Sequence, residues 1–267
     1  MIKGRIISVS LGGKEVLRGV DFEAAPNRFT AIVGPNGSGK TTLLRCLSGE
    51  LVYEGHVLFN NTDLASLSPR QQAAMRGVLS QSSQVVFPFT VKEVVALGQP
   101  QTAAWRSPKT HEMDIDARLA QVGLNSFAAR RYDSLSGGEQ QRVHLARVLH
   151  QIGGSETTQS TRWLFLDEPV SSLDIKHQLQ VMAVAKSFSQ KNGGVIAVMH
   201  DLNLTAMFAD QIFVMKDGEV AASGTPEEVL RTPIIASVFD CPLEVNTAPE
   251  DKTPFVLPQS VRFTKVL

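Results

Sequence analysis

The feature that most limits what this chain can fold into is the stretch Gly34-Pro35-Asn36-Gly37-Ser38-Gly39-Lys40-Thr41, of the form G-x-x-x-x-G-K-[ST]. Before it runs Phe29-Thr30-Ala31-Ile32-Val33, short, apolar and β-branched, which reads as a buried strand. After it comes Thr42-Leu43-Leu44-Arg45-Cys46-Leu47-Ser48, apolar at helical spacing, with Gly49 as the stop. A strand, a glycine-rich turn and a helix in that order leave backbone N–H groups at the helix start without internal partners. Those donors, with the helix dipole, suit a polyphosphate. Gly37 and Gly39 let the backbone approach phosphate oxygens, Lys40 reaches the β and γ phosphates, and the Thr41 hydroxyl suits Mg²⁺. A glycine-rich turn that holds nothing explains the glycines alone, not the whole motif between a strand and a helix. The pattern points to a nucleoside triphosphate on an α/β scaffold.

Composition narrows the setting. The chain has 267 residues, enough for one large α/β domain or a core with an inserted subdomain. An apolar share of 43% and a charged share of 19% fit a globular protein. Lys and Arg total 26 and so do Asp and Glu, so no global charge points to nucleic acid or an anionic membrane surface. No apolar run approaches the ~20 residues of a membrane helix. The start, Met1-Ile2-Lys3-Gly4-Arg5, lacks a secretory apolar region. Cys46 and Cys241 are the only cysteines, isolated thiols of the kind a reducing compartment keeps free. The expectation is a cytosolic domain that reaches any membrane through a partner.

Along the chain, Ile2 to Ser10 and Glu15 to Ala25 read as strands joined at Gly12-Gly13. His56 to Phe59 and Gly77 to Ser80 are short strands, and Ser68-Pro69 opens a helix. From Val85 to His150 the pattern turns helical, with helices predicted over Val91–Leu97 and Met113–Val122 and a loop over Pro100–Pro108. Residues 1–84 and 151–240 are thus expected to form a nucleotide-binding core with a β-subdomain, 85–150 an inserted helical subdomain, and 241–267 a C-terminal extension. Gly153–Thr161 is small and polar and reads as a loop. Strands follow at Trp163–Leu166, Val195–Met199, Ile212–Met215 and, past the Asp217-Gly218 turn, Glu219–Ala222. Helices are expected from Ile175 to Lys191 and from Leu202 to Phe208.

Three further constellations carry chemistry. The strand Trp163–Leu166 ends in Asp167 and Glu168. A carboxylate at that edge can hold Mg²⁺, and Glu168, where the chain turns away at Pro169, can polarise an attacking water. Leu135-Ser136-Gly137-Gly138-Glu139-Gln140 opens a helix, and Ser136 with Glu139 makes a capping box that needs no ligand. The paired glycines weaken that first turn, and equally suit a backbone that approaches a phosphate. His200 and Gln81 each follow a core strand, where ligands sit in open α/β sheets, although a lone histidine is more often structural. The other histidines show no metal-ligand spacing.

In this order, GPNGSGKT, Gln81, LSGGEQ, LFLDEP, Ser172-Leu173-Asp174 and His200 resemble the ATP-binding cassette family, as Walker A, Q-loop, signature, Walker B, D-loop and switch histidine. The resemblance spans nearly the whole chain up to His200. It implies a P-loop NTPase with a RecA-like core, an antiparallel β-subdomain and an inserted α-helical subdomain. It implies ATP contacts from Gly34 through Thr42, Mg²⁺ held by Thr41, Gln81 and Asp167, and hydrolysis through Glu168, His200 and Gln81. It also implies a head-to-tail dimer of two copies, in which Leu135 through Gln140 contact the ATP of the opposite chain, flanked by the D-loop residues Leu173 and Asp174. One departure stands out: the position that usually stacks an aromatic ring on adenine is Leu11, a contact weaker by about 1 kcal/mol.

Within the family, Phe87-Pro88-Phe89-Thr90-Val91 and Glu93–Gly98 resemble the cassettes of importers for iron-siderophores, cobalamin and haem. Ser172–Gln178 and the polar loop before Walker B look nearest to those for haem. The implied partners are integral permease subunits, indirectly a periplasmic substrate-binding protein, and no nucleic acid, at the cytoplasmic face of the bacterial inner membrane. Phe87 and Phe89 are then docking candidates, against the plainer reading that both rings are buried in the subdomain's own core. A soluble cassette ATPase of DNA repair or translation would need long coiled-coil insertions or a second fused cassette, and the sequence has neither.

Overall fold

The computed structural model describes the chain apart from residues 82–84, 86, 100–106, 154–160, 192, 252 and 262–267. Alternating burial makes β1 (Ile2–Leu11) and β2 (Lys14–Ala24) a half-exposed hairpin across Gly12-Gly13. β1 pairs on its other side with β4 (Glu54–Phe59), which pairs with β5 (Thr62–Asp63), giving an antiparallel sheet in the order β2-β1-β4-β5.

The second sheet is mostly parallel. It contains β3 (Phe29–Val33), β6 (Arg76–Leu79), β7 (Arg162–Asp167), β8 (Gly193–Val198), β9 (Gln211–Lys216) and an antiparallel edge strand, β10 (Glu219–Gly224), in the order β10-β9-β3-β8-β7-β6. Parallel strands must be covered on both faces, and every residue of β3 and β8 is buried. The two-residue period then divides their side chains between two cores. Trp163, Phe165, Ile196 and Val198 pack with Leu43 and Leu44 of α1 (Lys40–Leu47) and with Ile7, Leu17 and Phe22 of the antiparallel sheet. Leu164, Leu166, Val195 and Ala197 pack into the other core, with the remaining helices.

Those helices begin where the sequence supplies caps. Ser68 caps α2 (Pro69–Met75), Thr90 caps α3 (Val91–Ala96), Asp174 caps α6 (Ile175–Gln190) and Asp201 caps α7 (Leu202–Phe208). α4 (Pro108–Gln121) starts at Pro108 rather than at Met113, because the Ser107 hydroxyl accepts the Thr110 N–H and a proline fits the first turn. The loop expected over 100–108 falls mostly outside the described residues, as does nearly all of the polar loop before β7. β8 begins at Gly193 rather than Val195. A Cβ on Gly194 would sit 2.4 Å from the Trp163 ring, so only glycine leaves room for that indole.

α5 (Gly137–Gly153) has two environments. α3 and α4 pack along it, the latter with the His111 ring 5.0 Å from His150, while its last turns also lie on β6, where a Cβ on Gly77 would fall 2.5 Å from Val148 and 3.1 Å from Ile152. It is the crossover helix that returns the chain from β6 to β7. Two short helices follow β10, α8 (Pro226–Val229) and α9 (Thr232–Phe239), and the segment beyond folds back so that Gln259 donates to the Asn203 carbonyl at 3.1 Å. No helix among the described residues is long and apolar enough to cross a membrane. The result is a RecA-like P-loop core with an antiparallel β-sheet and an inserted α-helical subdomain, as the resemblance implies.

Candidate active site

The start of α1 differs from the capped helices. Its N-cap is Gly39, at φ 97°, and no side chain caps the free N–H groups. The loop that leads in is shaped by glycines with no alternative: Gly34 has φ 150°, and a Cβ there would meet the Met215 carbonyl oxygen at 2.2 Å. Lys40 folds back so that Nζ donates to the carbonyls of Gly34 and Pro35, at 2.9 and 2.8 Å. Burial lowers the pKa of its ammonium below the usual lysine value, opposed by the carboxylates of Glu168 and then Asp167. Ser38 is buried inside the loop, and its hydroxyl has no hydrogen-bond partner. A chain of free donors around a partly dehydrated cation is what an anion would satisfy.

Facing the loop are the C-terminal ends of three adjacent strands. Asp167 closes β7, and its Oδ1 accepts the Thr41 hydroxyl at 3.0 Å. Burial raises its pKa. Glu168 follows at φ 51°, a left-handed conformation that non-glycine residues seldom hold. Its carboxylate is gripped from both sides: Gln81 Nε2, past the end of β6, donates to Oε2 at 3.0 Å, and His200 Nε2, past β8, lies 2.6 Å from Oε1. Gln81, Glu168 and His200 form one wall of a cleft of about 650 Å³, and Asn36, Gly37, Gly39, Lys40, Thr41 and Thr42 form the other. The structure therefore brings together the phosphate loop, Glu168, Gln81 and His200, as the resemblance implies.

Leu11 does not line this cleft. It is 46% exposed at the hairpin end, opposite Lys14, and the β-strand residue on the wall is Val16 of β2. Alternating apolar residues were the only signal for Val16, and they mark Leu17 as strongly.

The signature residues also stand away from the cleft of their own chain. Ser136 donates its N–H and hydroxyl to Glu139, both at 2.8 Å, so the capping box forms. Gln140 Nε2 reaches the carbonyls of Tyr132 and Leu135, each at 3.3 Å. The two glycines separate: a Cβ on Gly138 would meet Leu173 at 2.8 Å, whereas one on Gly137 would meet nothing within 4 Å. Asp174 caps α6 by accepting from His177 N–H at 2.9 Å. The two docking candidates separate as well. Phe87 is 70% exposed, but Phe89 is half-buried against the helical core, and its carbonyl accepts the Tyr132 N–H at 2.9 Å.

The donors near the loop suit Mg²⁺. Thr41 and Asp167 supply hard oxygen, and Gln81 keeps its amide oxygen available while its nitrogen holds Glu168. Among the described residues no group of three or more His, Cys, Asp or Glu could cage a metal by itself, which fits an ion completed by phosphate oxygens.

Comparison with known proteins assigns the class. The family described as ABC transporter matches residues 17–171, more than half of the chain, and the chain belongs to that family as an ATP-binding cassette ATPase. A bacterial ABC transporter cassette solved as a dimer superposes with a TM-score of 0.73 at 27% identity, over 85% of this chain and 99% of that one. The cassette of another ABC transporter, in its ADP conformation, gives 0.74 at 22% identity, over 89% and 97%. In sequence the chain is similar to a particular group: it is 52% identical over 260 residues to the hemin import ATP-binding protein HmuV of Mesorhizobium japonicum, covering 97% of this chain and 99% of that protein. The protein of the same name from Rhizobium meliloti is also 52% identical, over 261 residues and the same shares. Magnesium-dependent ATP binding is general to cassettes of this family.

Proposed function

We propose that this ATPase energises haem uptake, from the cytoplasmic face of a bacterial inner membrane, through integral permease subunits served by a periplasmic substrate-binding protein. The cargo reading is supported by the hemin import relatives that match along nearly the full chain. The ATP site carries no cargo chemistry of its own. Ferric siderophore or cobalamin are the competing cargoes, and transport by the reconstituted complex with all three, side by side, separates them.

The observation that carries the catalytic reading is the carboxylate of Glu168, held between Gln81 and His200 across the cleft from Lys40. Lys40 and the N–H groups of Gly37 through Thr41 bind the β and γ phosphates. Thr41, Asp167 and Gln81 would hold Mg²⁺, which would offset phosphate charge. Glu168 takes a proton from the attacking water, and its clamped oxygens keep it aimed at one point. His200 steadies Glu168 and faces the γ-phosphate side.

A single chain leaves the site open, because its signature lies elsewhere. Two chains related by a two-fold axis close it, with Ser136, Gly137 and Gly138 of one on the γ-phosphate of the other. The space beside Gly137 supports this, since packing within the chain does not ask for glycine there. Mixing Lys40→Ala chains with Ser136→Arg chains tests it: the mixed dimer has one doubly damaged site and one intact, and ATPase recovers in part. No recovery over either parent, with chain exchange verified, refutes the composite site.

A further inference from the structure

We propose that Gln141 is a positioning residue that joins the two ATP sites of the dimer through a single chain. The inference rests on the head-to-tail reading above and goes beyond it.

Gln141 is half-buried on α5, a turn and a half past Ser136. Its side chain spans from the signature helix to the segment that carries the catalytic acid. Nε2 donates to the Glu168 carbonyl at 3.2 Å, and Oε1 accepts the Ser172 hydroxyl at 2.8 Å. One residue later, Leu173 lies against Gly138. The start of α5 therefore grips both ends of the turn between Glu168 and Leu173.

That turn is where Glu168 has freedom left to lose. Its φ of 51° is held only by what surrounds it. The Glu168 N–H donates to the Val198 carbonyl at 3.2 Å, which fixes one side of the residue. The Glu168 carbonyl also accepts from Ser171, by N–H at 3.4 Å and hydroxyl at 3.3 Å, but those bonds lie within the turn and move with it. Gln141 is the side chain that fixes this peptide plane from another element. An apolar residue could fill a half-buried position on α5, and only these two bonds use an amide.

The consequence follows from which site each end serves. Ser136 through Gly138 face the γ-phosphate bound by the opposite chain, whereas Glu168 faces the ATP of its own chain. α5 is a continuous helix, so a shift of its first turn as the signature engages reaches Gln141 undiminished. The amide passes it to the Glu168 peptide. Occupancy of one site then aligns the general base of the other.

The test uses the assembled complex with Gln141→Met, which keeps length and loses both bonds, Gln141→Glu, which loses the donor, and Ser172→Ala. The two Gln141 variants are expected to lower kcat about 10- to 100-fold, as small misplacements do, while KM for ATP stays within about twofold. The Hill coefficient for ATP falls toward one, the melting temperature holds, and Ser172→Ala shows a smaller effect of the same kind. Unchanged kcat and Hill coefficient in Gln141→Met overturn the proposal, and so does a loss of kcat that tracks a loss of thermal stability. If the Lys40→Ala and Ser136→Arg mixture recovers no activity, the dimer reading itself has failed. Recovery there with an unaffected Gln141→Met removes the Gln141 proposal alone.

Discussion

Replacing Glu168 by Gln separates binding from chemistry, because the structure shows how little else changes. The Gln carbonyl oxygen can still accept from Gln81 Nε2, now 3.0 Å from Glu168 Oε2. The new amide then faces His200 Nε2, which lies 2.6 Å from Glu168 Oε1. Shape and packing survive, and the group lost is the oxygen that takes the proton. General-base loss is worth ~10²–10⁴ in rate, or about 2.7–5.4 kcal/mol on the barrier at 1.36 kcal/mol per tenfold. Equilibrium binding of a fluorescent ATP analogue should stay near wild type while steady-state phosphate release falls by that factor. Lys40→Ala is the contrast: it removes a cation that also bonds the Gly34 and Pro35 carbonyls, so affinity and turnover fall together. Near-normal turnover in Glu168→Gln, or lost nucleotide binding of the Lys40→Ala kind, would refute the reasoning.

Three other outcomes follow from burial. Phe87→Ala should leave the melting temperature of the isolated protein unchanged and weaken assembly with the proposed permease, whereas Phe89→Ala should cost about 1.5–2.5 kcal/mol of stability, half the cost of a fully buried ring; equal melting temperatures for the two variants sink the distinction. Cys241 is exposed, while burial pushes the Cys46 thiol up to about 12, so Ellman's reagent at neutral pH should titrate one thiol in the native protein and two after denaturation. Gly194→Ala should destabilise by about 1–3 kcal/mol through overpacking against Trp163, and denaturant melts showing no loss would mean that the ring moves freely.

What the sequence made legible was local chemistry. The phosphate loop, the N-cap at Ser68, the capping box at Ser136 and the end of β7 at Asp167 are each written within a few residues, so spacing and residue type suffice. The convergence of Gln81, Glu168 and His200 was expected from the family resemblance and from the strand ends they follow. What escaped depends on registers and contacts between distant segments. Val16 lines the cleft, a placement that apolar alternation along β2 does not single out from Leu17. Phe87 and Phe89 are two residues apart and share composition and context, yet one faces solvent and the other the core. Gln141 lies 27 positions from Glu168, and nothing in the run of α5 marks it apart from its neighbours Gln140 and Arg142.

The double life of α5 has a consequence for how the molecule breathes. An inserted subdomain commonly opens as its own cooperative unit, exchanging its amide hydrogens without disturbing the host. This one cannot do so completely, because its longest helix is sealed to the host through Val148 and Ile152 on Gly77. Slow-exchanging amides should therefore run unbroken from β6 and β7 up α5 toward the signature, while α3 and α4 exchange through smaller openings. The residues proposed to meet the opposite nucleotide then sit at the exposed first turn of a helix whose far end is anchored in the host, and the flank nearest Phe87 is left free to yield.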